Sequence, residues 1–310
     1  MKIDTIYISC YRYDVELTRL CVASIRYWYP DVPIWLLKDR RYGDFSTHEI
    51  EKAWNAGVFR SRLPNLGWGF GKLEVLCLPQ PSRCLCIDSD IVFAGRVLDL
   101  LETYDEDFIV AEENYSPAEV EEQFFSPLEL AKLDPEFRYP GTGFNGGQIV
   151  AATGKVRRED FEPFLDWQRV EARRPDIFKK GDQGLTNYVL LKKAMSGQVT
   201  MRRVPFMVWP GDEAEVGHIR LSDLTPEGRH QQLIHWAGLR WGKSIEQMPR
   251  SDILVHFEDL YYSRVRFGSW FRRWRRAKPR LQRGVLEPAK RVLKRFLRPK
   301  RATLAPAAVR

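Results

Sequence analysis

The chain opens on a short apolar run over residues 3–9. Leu17, Leu20, Cys21, Ser24, Ile25 and Trp28 follow at helical spacing, and a second apolar run covers residues 33–38. Strand, amphipathic helix and strand in that order predict a β-α-β opening, which favours a mainly parallel sheet with right-handed crossovers. The pattern predicts further strands over residues 83–88, 107–111, 148–152, 199–204 and 232–235. It predicts helices over 72–78, 159–171 and 182–192. Residues 114–140 are polar, acidic and proline-containing, and read as a mobile loop or a partly helical lid. No internal repeat is visible.

Candidate chemistry enters where the run Leu85-Cys86-Ile87 ends in Asp88-Ser89-Asp90. In open α/β sheets ligands bind at the carboxyl ends of strands. Hard divalent cations take carboxylate oxygens, and Mn²⁺ or Mg²⁺ held there can neutralise a diphosphate and stabilise it as a leaving group. A solvated turn can show the same two acids, so the pair needs its context.

Four motifs supply that context. The first is Phe70-Gly71-Lys72-Leu73-Glu74-Val75-Leu76, leading into Asp88-Ser89-Asp90. Phe144-Asn145-Gly146-Gly147-Gln148-Ile149-Val150 is the second and Gly181-Asp182-Gln183-Gly184-Leu185 the third. The fourth is Leu233-Ile234-His235-Trp236-Ala237-Gly238. In order and spacing they resemble the retaining sugar-nucleotide glycosyltransferases of the glycogenin type (glycosyltransferase family 8), over roughly residues 3–243. The resemblance implies a GT-A-type, Rossmann-like fold: a mixed, mainly parallel sheet flanked by helices.

It also implies roles. Asp88, Asp90 and His235 would hold Mn²⁺ or Mg²⁺, with Asp88 also reaching the ribose. Lys72 would place a cation near the diphosphate, where charge builds as the glycosidic bond breaks. Ser9 and Tyr13 would hold the nucleoside, and Ser89 and Gly238 would complete the donor contacts. Asn145 and Gly147 would line the donor sugar, Asp182 would bind a sugar hydroxyl, and Gln183 would lie near the anomeric carbon. Each residue also has an ordinary reading. His235 can be a satisfied strand-end histidine and Lys72 an exposed helical lysine. Asn145-Gly146-Gly147 can be a plain turn, Asp182 a helix N-cap and Tyr13 a core residue.

Two departures stand out. The family's Lys-Pro-Trp, six to eight residues after the histidine, is here Trp241-Gly242-Lys243. Its phosphate-binding lysine is then displaced to Lys243 or replaced by Arg240. An acid common two residues before the Phe of Phe-Asn-x-Gly is here Thr142, so the donor sugar is left open.

Composition changes the picture mainly at the C-terminus. A chain of 310 residues with 44% hydrophobic and 13% aromatic content supports a full core and excludes a disordered protein. Cys10, Cys21, Cys77, Cys84 and Cys86 lie in apolar runs with no C-x-x-C pair. They read as buried thiols of a reducing compartment, neither a disulfide frame nor a zinc site. Met1-Lys2-Ile3-Asp4 runs straight into the first strand, so no signal peptide is expected, and no apolar run approaches the ~18 residues of a membrane span.

The net charge of +8 hides a division. Residues 264–310 hold 17 of the 49 Lys and Arg but one of the 41 Asp and Glu. That stretch carries +16 and the preceding residues −8. Phe267, Trp270, Phe271 and Trp274 recur at i, i+3, i+4 and i+7 among arginines, and residues 286–298 repeat the design. Basic amphipathic helices of this kind suit an anionic membrane surface, although a tail packed on the body would share the pattern. Nothing in the chain reads as a base-recognition module, so no nucleic-acid partner is expected.

The expectation is thus a catalytic domain over residues 1–263 and a membrane-associating tail over 264–310. The chain would transfer sugar from a UDP-sugar to a glycolipid or saccharide acceptor, at the inner face of the cytoplasmic membrane. A nucleotidyltransferase, or a non-catalytic sugar-nucleotide or membrane-binding protein of the same fold, is the alternative.

Overall fold

A computed structural model describes residues 1–63, 67, 69–239 and 243–273. The chain divides into two units, Met1–Tyr261 and Tyr262–Arg310. The first opens as β1 (Thr5–Cys10), α1 (Val15–Trp28) and β2 (Ile34–Lys38). The predicted stripe of α1 is buried, from Leu17 to Trp28. The helix stops at Tyr29 (φ −134°) because the residue before Pro30 is driven out of the helical region.

The chain continues through α2 (His48–Trp54), β3 (Gly57–Val58), α3 (Phe70–Leu76), β4 (Arg83–Asp88), β5 (Ile91–Phe93), α4 (Val97–Leu101) and β6 (Phe108–Ala111). Next come α5 (Pro117–Gln123), α6 (Pro127–Leu133), β7 (Gln148–Ala152), α7 (Arg158–Phe161), β8 (Leu165–Asp166) and β9 (Glu171–Ala172). The last elements are α8 (Asp182–Met195), β10 (Met201–Val204), β11 (Met207–Val208), α9 (Glu213–Val216), β12 (Leu233–His235) and α10 (Ser251–Ser263).

The main sheet has the order β10-β6-β7-β4-β1-β2-β3. It is parallel except for β7, which runs antiparallel to β4 and to β6. A second sheet, β11-β12-β5, sets β12 antiparallel to β5. One face of the main sheet presents Cys84, Cys86, Phe108, Val110, Ile149 and Ala151 to a core that includes Leu73 of α3 and Leu185 and Tyr188 of α8. This is the α/β architecture, with a mainly parallel sheet flanked by helices, that the sequence predicts.

Two segments differ from or refine the expectation. The helix expected over residues 159–171 is only the short α7, followed by the β8-β9 hairpin. Pro163 follows the helix C-cap Glu162 and cannot continue the helix, and Asp166 accepts from the Gln168 and Arg169 amides to form a turn. Val170 then adopts φ 56°. For residues 114–140 the helical reading holds. Ser116 and Glu119 cap α5 reciprocally, Pro127 starts α6, and Phe124, Phe125 and Leu130 are fully buried beneath the segment.

Cys10, Cys21, Cys84 and Cys86 are buried as expected, whereas Cys77, which caps the end of α3, is only half-buried, and all five are free thiols. Among the described residues no helix is long and apolar enough to cross a membrane. The second amphipathic stretch of the tail, residues 286–298, and Trp274 lie outside the described residues.

Candidate active site

The site is assembled where strand ends meet. Asp88 closes β4, opposite Ser9 of β1, and its amide donates to Gly147 O at 2.8 Å. Because β7 runs against β4, the turn that enters β7 lies at the exit of β4. The antiparallel β5-β12 pair sets His235 opposite Ile91, and Trp236 N bonds Asp90 O at 2.9 Å. Ligand atoms of Asp88, Asp90 and His235 therefore all fall within 4.8 Å of one another.

His235 is 1% exposed, and its Nε2 lies 3.3 Å from Asp90 Oδ1, yet among the described residues neither ring nitrogen has an aligned hydrogen-bond partner. Burial works against protonation of His235, but Asp90 and Asp88 outweigh it and raise its pKa. Burial likewise opposes ionisation of Asp90, and His235 and Lys72 overcome it to lower the pKa. Two carboxylates beside an imidazole with unsatisfied nitrogens form a donor set that fits Mn²⁺ or Mg²⁺. Gly147 is required beside them: a Cβ there would lie 2.3 Å from His235 Cε1 and 3.0 Å from Asp88 Oδ2.

Lys72, from α3, reaches under the same acids. Its Nζ donates to Asp88 Oδ1 at 2.8 Å and to Gly146 O at 2.7 Å, and lies 3.7 Å from Asp182 Oδ2. It is 4% exposed, which excludes the exposed-lysine reading. Burial works against the ammonium, but Asp88 and Asp182 raise its pKa. Burial pushes the Asp182 carboxyl up to about 6, although Lys72 pulls the other way.

Asp182 is not the N-cap of α8. Gly181, at φ 64°, takes that position, which leaves the Asp182 side chain to point at Lys72. Gly69, at φ +71°, makes room, since a Cβ there would meet Asp182 Oδ1 at 2.1 Å. Gln183 is spanned by two backbone partners: its Oε1 accepts from Gly146 N at 3.1 Å and its Nε2 donates to Gln123 O at 3.2 Å. Asn145 Oδ1 accepts from Gly147 N at 2.7 Å.

A cavity of about 610 Å³ runs along these strand ends. Ser9, Tyr13, Lys72, Asp88, Ser89, Asp90, Asp182, His235 and Gly238 line it. Asn145, Gly147 and Gln183 adjoin that wall through the contacts above. Tyr13 is 66% exposed and so is not core. Lys243 is exposed and is not among the lining residues, and Arg240, Trp241 and Gly242 lie outside the described residues.

Three features were missed by sequence reasoning. Asp39, just past β2, also lines the cavity. Trp209, just past β11, stacks on the His235 ring with centroids 5.2 Å apart and planes at 19°. Glu113, two residues past β6, accepts from Asn145 N at 2.9 Å. A strand-end acid is the signal that singled out Asp88, and it applied equally to Asp39 and Glu113. The two-residue β11 gave Trp209 no such signal.

Neither a protein-family model nor a curated protein matches the sequence. Solved structures match the fold. The bifunctional glycosyltransferase WbbM shares 13% identity at a TM-score of 0.55, over 88% of this chain and 51% of WbbM. The galactosyltransferase LgtC, with donor and acceptor sugar analogs, shares 16% at 0.53 over 84% of this chain and 95% of LgtC. GlyE of Streptococcus pneumoniae shares 12% at 0.51 over 88% of this chain and 64% of GlyE. The chain thus spans about half of WbbM and under two thirds of GlyE. Its fold is that of the GT-A-type glycosyltransferases.

Proposed function

We propose that this protein is a metal-dependent glycosyltransferase of the glycogenin type, moving a sugar from a UDP-sugar to a saccharide or glycolipid acceptor. The observation that supports this best is the meeting of Asp88, Asp90 and His235 with Lys72 and Asp182 along one cavity, at the carboxyl end of a GT-A-type sheet. LgtC has been solved with donor and acceptor sugar analogs, and as an active-site mutant in which glutamine is replaced by glutamate. Gln183 is this chain's candidate for such a glutamine.

Held by Asp88, Asp90 and His235, Mn²⁺ or Mg²⁺ would supply positive charge to the leaving diphosphate. The chain's own groups do the rest. Lys72 fixes Asp88 and keeps a cation beneath the diphosphate. Ser9 and Tyr13 take the nucleoside, with Ser89 and Gly238 beside the donor. Asn145 and Gly147 border the sugar, Asp182 accepts from one of its hydroxyls, and Gln183 stands at the anomeric carbon, where transfer proceeds with retention.

Product analysis with UDP-sugars and Mn²⁺ tests the reading. Released UDP with a glycosylated acceptor is expected. Pyrophosphate would mark nucleotidyl transfer instead, and UDP binding without turnover would mark a non-catalytic relative.

Residues 1–263 form the catalytic domain in this reading, and 264–310 hold it on the anionic inner face of the cytoplasmic membrane. The acceptor is then a membrane glycolipid or lipopolysaccharide intermediate. The +16 charge supports this, as do Phe267 and Trp270, which are 66% and 60% exposed. A chain ending at residue 263 should keep donor hydrolysis and lose anionic-vesicle binding. Equal vesicle binding by both chains would overturn the membrane role.

A further inference from the structure

A metal-binding histidine ordinarily has its ring fixed by a hydrogen bond through the nitrogen that faces away from the ion. Among the described residues none gives His235 such a bond. What covers its ring is Trp209. Val208 pairs with Ile234 between β11 and β12, so Trp209 and His235 occupy the next rung of that ladder. The Trp209 indole and the Tyr115 hydroxyl both favour the ionised form of the Glu113 carboxylate, against the burial that raises its pKa.

The same carboxylate reaches His235 a second way. Glu113 Oε2 accepts from Asn145 N at 2.9 Å, Asn145 Oδ1 accepts from Gly147 N at 2.7 Å, and Gly147 packs on His235 Cε1 and Asp88. Arg203 donates to the backbone carbonyl of Glu113 and anchors this hub from β10.

We infer that Glu113 and Trp209 are positioning residues for His235: the carboxylate holds the Asn145–Gly147 turn against one edge of the imidazole, and the indole covers its face, so that together they set the ring that completes the cation site. This rests on the reading of Asp88, Asp90 and His235 as ligands of a divalent cation. Neither residue is among those that line the cavity.

The test is Mn²⁺ binding to the full chain, followed by paramagnetic resonance of free Mn²⁺, with melting temperature measured in chelator. Glu113→Ala should weaken Mn²⁺ binding about tenfold, the lower end for groups that support a ligand from behind. Glu113→Gln removes the charge but keeps an acceptor oxygen, and should recover part of the loss. Trp209→Ala removes the face stacked on the imidazole and should weaken binding by a similar factor, and Trp209→Phe, which keeps a smaller face, should recover part of it. Combining Glu113→Ala with Trp209→Ala should cost less than the product of the two single losses.

Wild-type affinity in Glu113→Ala, or a strictly multiplicative double variant, overturns the proposal. Equal losses in Glu113→Gln and Glu113→Ala overturn it too, because they would mark a charge effect. If Glu113→Ala does not fold, Glu113→Gln and Trp209→Phe decide by the same criteria. Absence of Mn²⁺ binding in the wild type would instead overturn the cation-site reading itself.

Discussion

Lys72 and His235 flank the same two carboxylates, Asp88 and Asp90, but different forces hold them. Lys72 is fixed by charge and hydrogen bonds: its ammonium meets Asp88, Gly146 O and Asp182 within a buried wall. His235 is fixed by shape, between the Trp209 face and the bare Cα of Gly147, with its nitrogens unsatisfied. The first flank is complete without a ligand. The second leaves donors for one. Damage to the Lys72 flank should therefore cost stability, whereas damage to the His235 flank should cost ion binding.

The largest break in this contrast is Asp90→Ala. It should reduce transfer to background and abolish Mn²⁺-dependent thermal stabilisation by UDP, while changing the melting temperature in chelator little. Retained turnover in chelator-treated buffer would remove the metal from the reading.

Lys72→Met comes next, and acts on the opposite flank. It leaves Asp88 and the buried Asp182 without their cation, and removing one partner of a buried pair costs about 3–5 kcal/mol. Asp88 is 32% exposed, so the lower end is expected, read by urea unfolding in chelator. An unchanged midpoint would show that the ion pair does not support the fold.

Asp182→Asn tests the same flank through pH. The Asp182 carboxyl, pushed up to about 6, stays protonated in the folded chain after the unfolded chain has lost its proton. Wild-type stability from this group is present below about pH 4 and is lost as pH rises through about 6. The variant lacks that loss, so its stability relative to wild type should rise across the window by roughly 3 kcal/mol. A pH-independent difference would contradict the raised pKa. Transfer should still fall sharply, since Asp182 faces the cavity.

The smallest effects come from one methyl group on each flank. Gly69→Ala forces a side chain into φ +71° against Asp182, and should cost about 1–3 kcal/mol of stability with modest change in Mn²⁺ affinity. Gly147→Ala presses on the His235 ring and should weaken Mn²⁺ binding more than it lowers the melting temperature. The reverse ranking would erase the distinction between the flanks.

How far the sequence revealed this follows the same division. The elements of the Lys72 flank were legible as local patterns, a helix expected over 72–78 and the acid-ended strand β4, but the place of Lys72 beneath the acids came only through the resemblance, since local pattern alone allowed an exposed lysine. The Asp88-Asp90-His235 group was legible only through its motif order, since nothing local links residues in different thirds of the chain. Trp209 stayed hidden because a two-residue strand has no periodicity. Residues 159–171 misled because Phe161 and Leu165 bury four residues apart, a helical spacing, while Pro163 breaks the backbone. The ordinary reading of Asp182 as a cap fails because residue preference cannot see that Gly181 already takes that position. Strand runs also give no direction, so the reversal of β7, which brings Asn145 and Gly147 to Asp88, had to come from the structure.

The β5-β12 pairing has a consequence for biosynthesis. Asp90 and His235 meet only through that ladder, across about 145 residues of sequence. At ribosomal rates of roughly 5–20 residues per second, the acid pair is made roughly 7 to 30 seconds before its histidine exists. A nascent chain holding Asp88 and Asp90 alone offers a loose, solvated pair of carboxylates to passing cations. Selective loading is therefore expected only after β12 is made and docked, which ties acquisition of the ion to completion of the catalytic unit.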